Sequence, residues 1–139
     1  MSESAAERGP VVAPNGHSAG DDDRRARGLA KMSEVYGWEF KDGPGDHFAA
    51  TADHLFADIW SREALSIRDR RLLLIGLLTA QNLFDVAEIQ IGAALGNGEF
   101  TPDQLRDAAL FLCHYAGWPL GTKLDSVVGK VIAQQEKKK

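Results

Sequence analysis

The sequence has a single cysteine, Cys113, in 139 residues. No intrachain disulfide can form, so nothing here requires an oxidising compartment. It also has no basic surplus. Sixteen Lys and Arg stand against twenty Asp and Glu, a formal charge of −4, and that balance argues against a nucleic-acid partner. It has no long hydrophobic run: the longest strongly apolar stretch, Leu72 to Leu78, is far short of the ~18 residues a membrane span needs. Met1 to Gly20 lacks the apolar segment of a secretory signal, so the expected setting is cytoplasmic. Period-2 alternation, an internal repeat, a Gly-x-Ser-x-Gly nucleophile, a phosphate loop and a dinucleotide fingerprint are all missing.

What is present has a globular balance, 44% hydrophobic and 26% charged, in a length that suits one domain. Residues 1–20, rich in Ser, Ala, Gly and Pro, read as a disordered tail, leaving 21–139 as a single helical domain. Asp21-Asp22-Asp23 can open a short helix carrying Leu29, Met32, Val35 and Tyr36 and ending at Gly37, since carboxylates suit a helix N-terminus. After the Gly43-Pro44-Gly45 loop, Phe48, Ala52, Leu55, Phe56 and Ile59 mark one face of a second helix. Ser66 caps a third that is apolar nearly all round from Leu72 to Ala80, a pattern expected of a central helix. A fourth runs from Asp85 to Leu95, with Val86, Ile89, Ala93 and Ala94 facing inward. Thr101-Pro102-Asp103-Gln104 opens a fifth. Leu120, Leu124, Val127, Val128, Val131 and Ile132 mark the last. The fold class is all-α, a bundle of five to six helices.

The fifth helix carries two apolar surfaces. Leu105, Ala108, Ala109 and Leu112 define one face, yet Leu110 and Phe111 point elsewhere. A domain this small has difficulty burying both, so the second surface is either an oligomer interface or overpacking of the monomer.

Few residues offer chemistry. His47 and His54 share a helix beside Asp58, away from the apolar side, and read as a solvated face rather than a metal site; no metal is expected. Cys113 and His114 are sequence neighbours that point about 100° apart, and Cys113 reads as an inert packed thiol. Two positions are less ordinary. Gln90 falls among the inward residues of the fourth helix, where a buried amide must find partners. Arg70-Arg71 sits in the first turn of the third helix, where the dipole is unfavourable to cations. One of the two arginines is expected to point inward to a carboxylate, the protein's own or a ligand's, and each polar position is open to a purely structural reading.

Three segments carry a resemblance: Phe56-Ala57-Asp58-Ile59-Trp60-Ser61-Arg62; Ala94-Leu95-Gly96-Asn97-Gly98 with Thr101 to Arg106; and Tyr115-Ala116-Gly117-Trp118-Pro119. In this order and spacing they resemble the carboxymuconolactone decarboxylase family, over about residues 24 to 134. The resemblance implies the all-α alkyl hydroperoxidase D-like fold and a homotrimer or homohexamer. It also separates two chemistries. The peroxidase branch needs a Cys-x-x-Cys pair and a following His, and here those positions hold Leu83, Val86 and Gln90, so a dithiol cycle is excluded. The decarboxylase branch acts on a carboxylated unsaturated lactone from aromatic catabolism and needs no cofactor, because the electrons left by departing CO2 flow into the lactone's conjugated carbonyl. Such an enzyme stabilises an oxyanion and delivers a proton to carbon.

On that reading Arg71 holds the oxyanion or carboxylate, Gln90 orients the substrate and Tyr115 is the candidate proton donor. Trp60, Leu83 and Val86, with Tyr115, form the pocket wall, and His114 can reach in from a neighbouring subunit. Arg71 stands where the family usually has an acidic residue, and Gln90 where it usually has His; an amide orients but does not shuttle protons. A live site predicts an enclosed cavity reaching both residues. A re-purposed or inactive oligomer, binding a small acid or serving as a scaffold, predicts that they satisfy each other or their neighbours.

Overall fold

The computed structural model describes residues 19–139, whose regular elements are all helices, with no strand among the described residues. Six helices follow in order: α1 Ala19–Tyr36; α2 Asp46–Ala50, which continues as a π-helix over Thr51–Ile59; α3 Ile67–Ala80; α4 Phe84–Gly96; α5 Pro102–Tyr115; and α6 Trp118–Lys137. The tail expected over residues 1–20 lies outside the described residues, as does His17, except that Ala19 and Gly20 already belong to α1. That helix spans 18 residues rather than being short. Among the described residues no helix is long and apolar enough to cross a membrane.

The chain divides into two compact units. Among the described residues, the first comprises 19–32 and 39–61 and the second 33–38 and 62–139. In the first, the segment after Ala50 winds with i→i+5 bonds, as in Trp60 N–H to the Leu55 carbonyl at 2.8 Å. Each residue of a π-helix advances the winding by less than the 100° of an α-helix. The buried side chains are therefore Ala52, Phe56, Ala57 and Trp60, whereas Leu55 and Ile59, expected inward on α-helical spacing, are exposed. The Phe56 and Trp60 rings stack at 5.7 Å with their planes 3° apart. Gly28 of α1 lies directly against the Ala52 carbonyl, a position with no room for a Cβ.

The second unit holds the larger core. Ile75, Ile91, Leu105, Leu124, Val128 and Val131 close it from α3, α4, α5 and α6. α6 packs along α5 and α4, and α4 along α3. Local chemistry fixes the ends of these helices. Ser66 Oγ accepts from Asp69 N–H at 3.0 Å and the Asp69 carboxylate accepts from Ser66 N–H. Thr101 and Gln104 form the same reciprocal pair, each satisfying two otherwise unpaired donors. Gly121 of α6 sits against the backbone and Sγ of Cys113, with no space for a larger residue, and Cys113 is buried there as expected.

Two expectations about burial change. α3 is not surrounded: Leu72, Leu73 and Leu77 are exposed, Leu73 by 66%. On α4, Ala87, Gln90, Ile91, Ala93 and Ala94 are buried, whereas Val86 and Ile89 face out. The reason is the same in both. These helices are apolar on more sides than one 139-residue chain covers, so part of the apolar surface stays open. On α5, Leu110 and Phe111 form the expected second surface, Phe111 59% exposed.

Candidate functional site

Arg71, the fifth residue of α3, projects into the interior of the second unit and is 0% exposed. Its Nε donates to Glu99 Oε1 and its Nη2 to Glu99 Oε2, both at 2.9 Å, a bidentate pair. Nη2 also donates to the Val35 carbonyl in the last turn of α1. Nη1 donates to Gln90 Oε1 at 2.6 Å, and Gln90 Nε2 donates to the Tyr36 hydroxyl at 3.2 Å. Gln90 is itself 2% exposed. The guanidinium fork thus meets a carboxylate, an amide and a helix-terminal carbonyl in one plane of charge-assisted bonds.

Glu99 is held in turn. Asn97 Nδ2 donates to its Oε2 at 3.2 Å and to the Val35 carbonyl at 3.0 Å. Arg68 Nε donates to the Glu99 backbone carbonyl at 2.9 Å, with its guanidinium 4.2 Å from the centre of the Phe100 ring. The α4–α5 turn, shaped by Gly98 at φ +70°, delivers Asn97 and Glu99 to Arg71. A buried arginine is unfavourable by itself, and the Glu99 carboxylate supplies the compensating charge.

The expectation that one of Arg70 and Arg71 points inward to a carboxylate is met by Arg71, and the carboxylate is the protein's own. Arg70 instead donates to the carbonyls of Arg62 and Leu65 outside the core. Of the expected site residues, the structure brings Arg71 and Gln90 into direct contact. Val86 lies on α4 one turn before Gln90, and Leu83, the N-cap of α4, two turns before it; both are exposed, whereas Gln90 is buried. Tyr115 is 80% exposed at the end of α5, its ring against Phe111 at 5.1 Å. His114 is also exposed; its Nδ1 meets the Leu110 carbonyl at 2.9 Å and its ring meets Trp118 edge-on. Trp60 belongs to the first unit, stacked on Phe56. Glu99, Asn97 and Tyr36 are the partners of this cluster that sequence reasoning missed. The available signal was one carboxylate in the glycine turn after α4, and no periodicity ties it to Arg71, 28 residues away.

The first unit has its own charge cluster. Arg25 is buried and donates to Asp53 at 2.6 Å and Asp42 at 2.5 Å. The hydrogen bond to Asp53 raises the Arg25 pKa, over an opposing effect of burial, with Asp42 adding to the rise. Partial burial pushes the Asp58 carboxyl up, but hydrogen bonds and charge from His54 and Arg24 outweigh that and hold it below the ordinary carboxylate range. Arg24 reaches Asp58 at 2.6 Å and His54 at 3.3 Å completes the contact. Among the described residues no group of three His, Cys, Asp or Glu side chains is close enough to hold a metal ion.

The model of the carboxymuconolactone decarboxylase family matches residues 45–124, more than half of the chain. The chain belongs to that family. No curated protein and no solved structure matches it. All three segments that carry the resemblance fall inside the matched residues, a shorter span than 24 to 134. In this carboxymuconolactone decarboxylase family member, Arg71 is hydrogen-bonded to Gln90 and ion-paired with Glu99 from the α4–α5 turn.

Proposed function

We propose that this chain is a homo-oligomeric member of the family whose interior pair is structural, so that it binds a small molecule or acts as a scaffold rather than decarboxylating a lactone. The observation that carries this reading is the 0% exposure of Arg71 together with its bidentate pairing to Glu99. A cation stabilises a developing oxyanion only when its donors are aimed at the reacting oxygen and not already taken. Here the guanidinium is turned to Glu99, Gln90 and Val35, and Gln90 lacks a transferable proton. Tyr115 supplies no substitute there: it is 80% exposed at the end of α5, with its ring against Phe111.

The second reading is cofactor-free decarboxylation of a small carboxylated lactone in aromatic-compound catabolism, favoured by the family match over residues 45–124. It requires Arg71 to leave Glu99 and face the lactone oxygen. Purified protein, confirmed folded and sized, is assayed on carboxymuconolactone for CO2 release beside Arg71→Ala and Gln90→Ala. The expected result is no release above the uncatalysed rate. Turnover in the wild type that is lost in both variants would establish the decarboxylase and end the structural reading.

A further inference from the structure

We infer that the second unit carries a site for a small organic cation of the methylated-ammonium class, in a cavity beside Tyr36 and Trp38. The cavity measures about 400 Å³, within the range of small-molecule sites. It adjoins the Arg71–Gln90 contact through the Tyr36 hydroxyl, which accepts from Gln90, but neither Arg71 nor Gln90 lines it. Its aromatic wall is the Tyr36–Trp38 pair, with ring centres 5.3 Å apart and planes tilted by 37°, and Trp38 is 50% exposed. The opposite wall is the α4 strip Glu88, Gly92 and Gly96, and the C-terminal turn of α6 completes it with Gln134 and Gln135.

Three observations give this cavity its sign. Aromatic faces attract cations and best suit ammonium groups too bulky for close hydrogen bonding. The C-terminal ends of α4 and α6 both border the space, and each carries partial negative charge. The Glu88 carboxylate lies on the lining, and its partner Lys130, at 2.9 Å, is a half-exposed surface ion that holds it weakly. The side-chain amides of Gln134 and Gln135 make no hydrogen bond to the rest of the described protein, so their carbonyl oxygens are available. Lys138 is the opposing feature. It also lines the cavity, where its ammonium complements the end of α6 and competes with an incoming cation.

The α4 wall allows a clean block. A Cβ built on Gly96 meets nothing within 4 Å, so a larger residue there fills the cavity without displacing the core.

The experiment is calorimetric titration of the full-length protein with choline and with 3,3-dimethylbutan-1-ol, which has the same shape but no charge, and with benzoate as the anionic probe. Choline is expected to bind saturably and at least about fivefold more tightly than the neutral alcohol. Trp38→Leu and Gly96→Leu abolish binding while the urea unfolding curve stays unchanged. Lys138→Gln tightens choline by about two- to fivefold, because it removes the competing charge. A folded wild type that fails to bind choline, equal affinity for the neutral alcohol, tighter binding of benzoate, or weaker choline binding in Lys138→Gln each overturns the inference. Binding is read without turnover, so its failure is distinct from failure of the structural reading of Arg71.

Discussion

At the scale of single residues, Arg71 and Glu99 set the largest expected effect. Removing one partner of a buried, hydrogen-bonded ion pair leaves an uncompensated charge and costs about 3–5 kcal/mol, whereas replacing both by apolar groups is often near neutral. Glu99→Ala is therefore expected to lower the unfolding free energy by about 3 kcal/mol or more, measured by urea denaturation at fixed protein concentration. Arg71→Met combined with Glu99→Leu should recover most of that loss. A Glu99→Ala cost below about 1 kcal/mol would mean that water already reaches the pair. Asp58 provides a pH test. Its carboxyl is held below its ordinary value in the folded protein, so its contribution to stability is present above the unfolded value of about 3.9 and is lost as pH falls through the folded value. The stability gap between wild type and Asp58→Asn should thus be full at pH 6 and close below about pH 4. A gap that widens on acidification contradicts the His54 and Arg24 contacts as its cause.

At the scale of elements, the close approach of α5 and α6 rests on Gly121. A Cβ there collides with the Cys113 backbone as well as its sulfur, the nearest backbone atoms lying 2.7 and 2.8 Å away. Gly121→Ala is expected to cost about 1–3 kcal/mol. Because the clash involves main-chain atoms, adding Cys113→Ala should not restore stability; full rescue would place the clash on the sulfur alone. Cys113→Ser, by contrast, leaves the helices in place. The helices with local signals were legible in sequence: Ser66–Asp69 and Thr101–Gln104 announce their caps within four residues. Where a signal depended on winding or on distant partners, the reading failed. Leu55 and Ile59 were assigned inward on an α-helical repeat, but the π-winding of Thr51–Ile59 rotates them out. The Arg70-Arg71 pair was recognisable as holding a misplaced cation in need of a carboxylate, yet nothing local could say which arginine turns inward or name Glu99. An all-round apolar α3 signals burial without saying which chain provides it.

At the scale of the whole molecule, the exposed leucines of α3 and the Leu110–Phe111 surface of α5 leave large apolar side chains open to solvent, the kind of surface that marks an interface. Both border an apolar groove of about 540 Å³ that includes Leu72, Phe111 and Leu112. Sizing of the wild type is expected to give a multiple of the chain mass, and Leu73→Glu with Phe111→Glu should shift it to monomer with helicity retained. A wild type that runs as a monomer removes the oligomer from the reading. The sealed Arg71 guanidinium has one more consequence, for exchange with water. Its Nε proton is bound to Glu99 and shielded on every side, so it can trade with solvent only when residues 62–139 and the end of α1 come apart. That proton should persist as a sharp, slowly exchanging resonance, a built-in clock for the rarest opening of the fold.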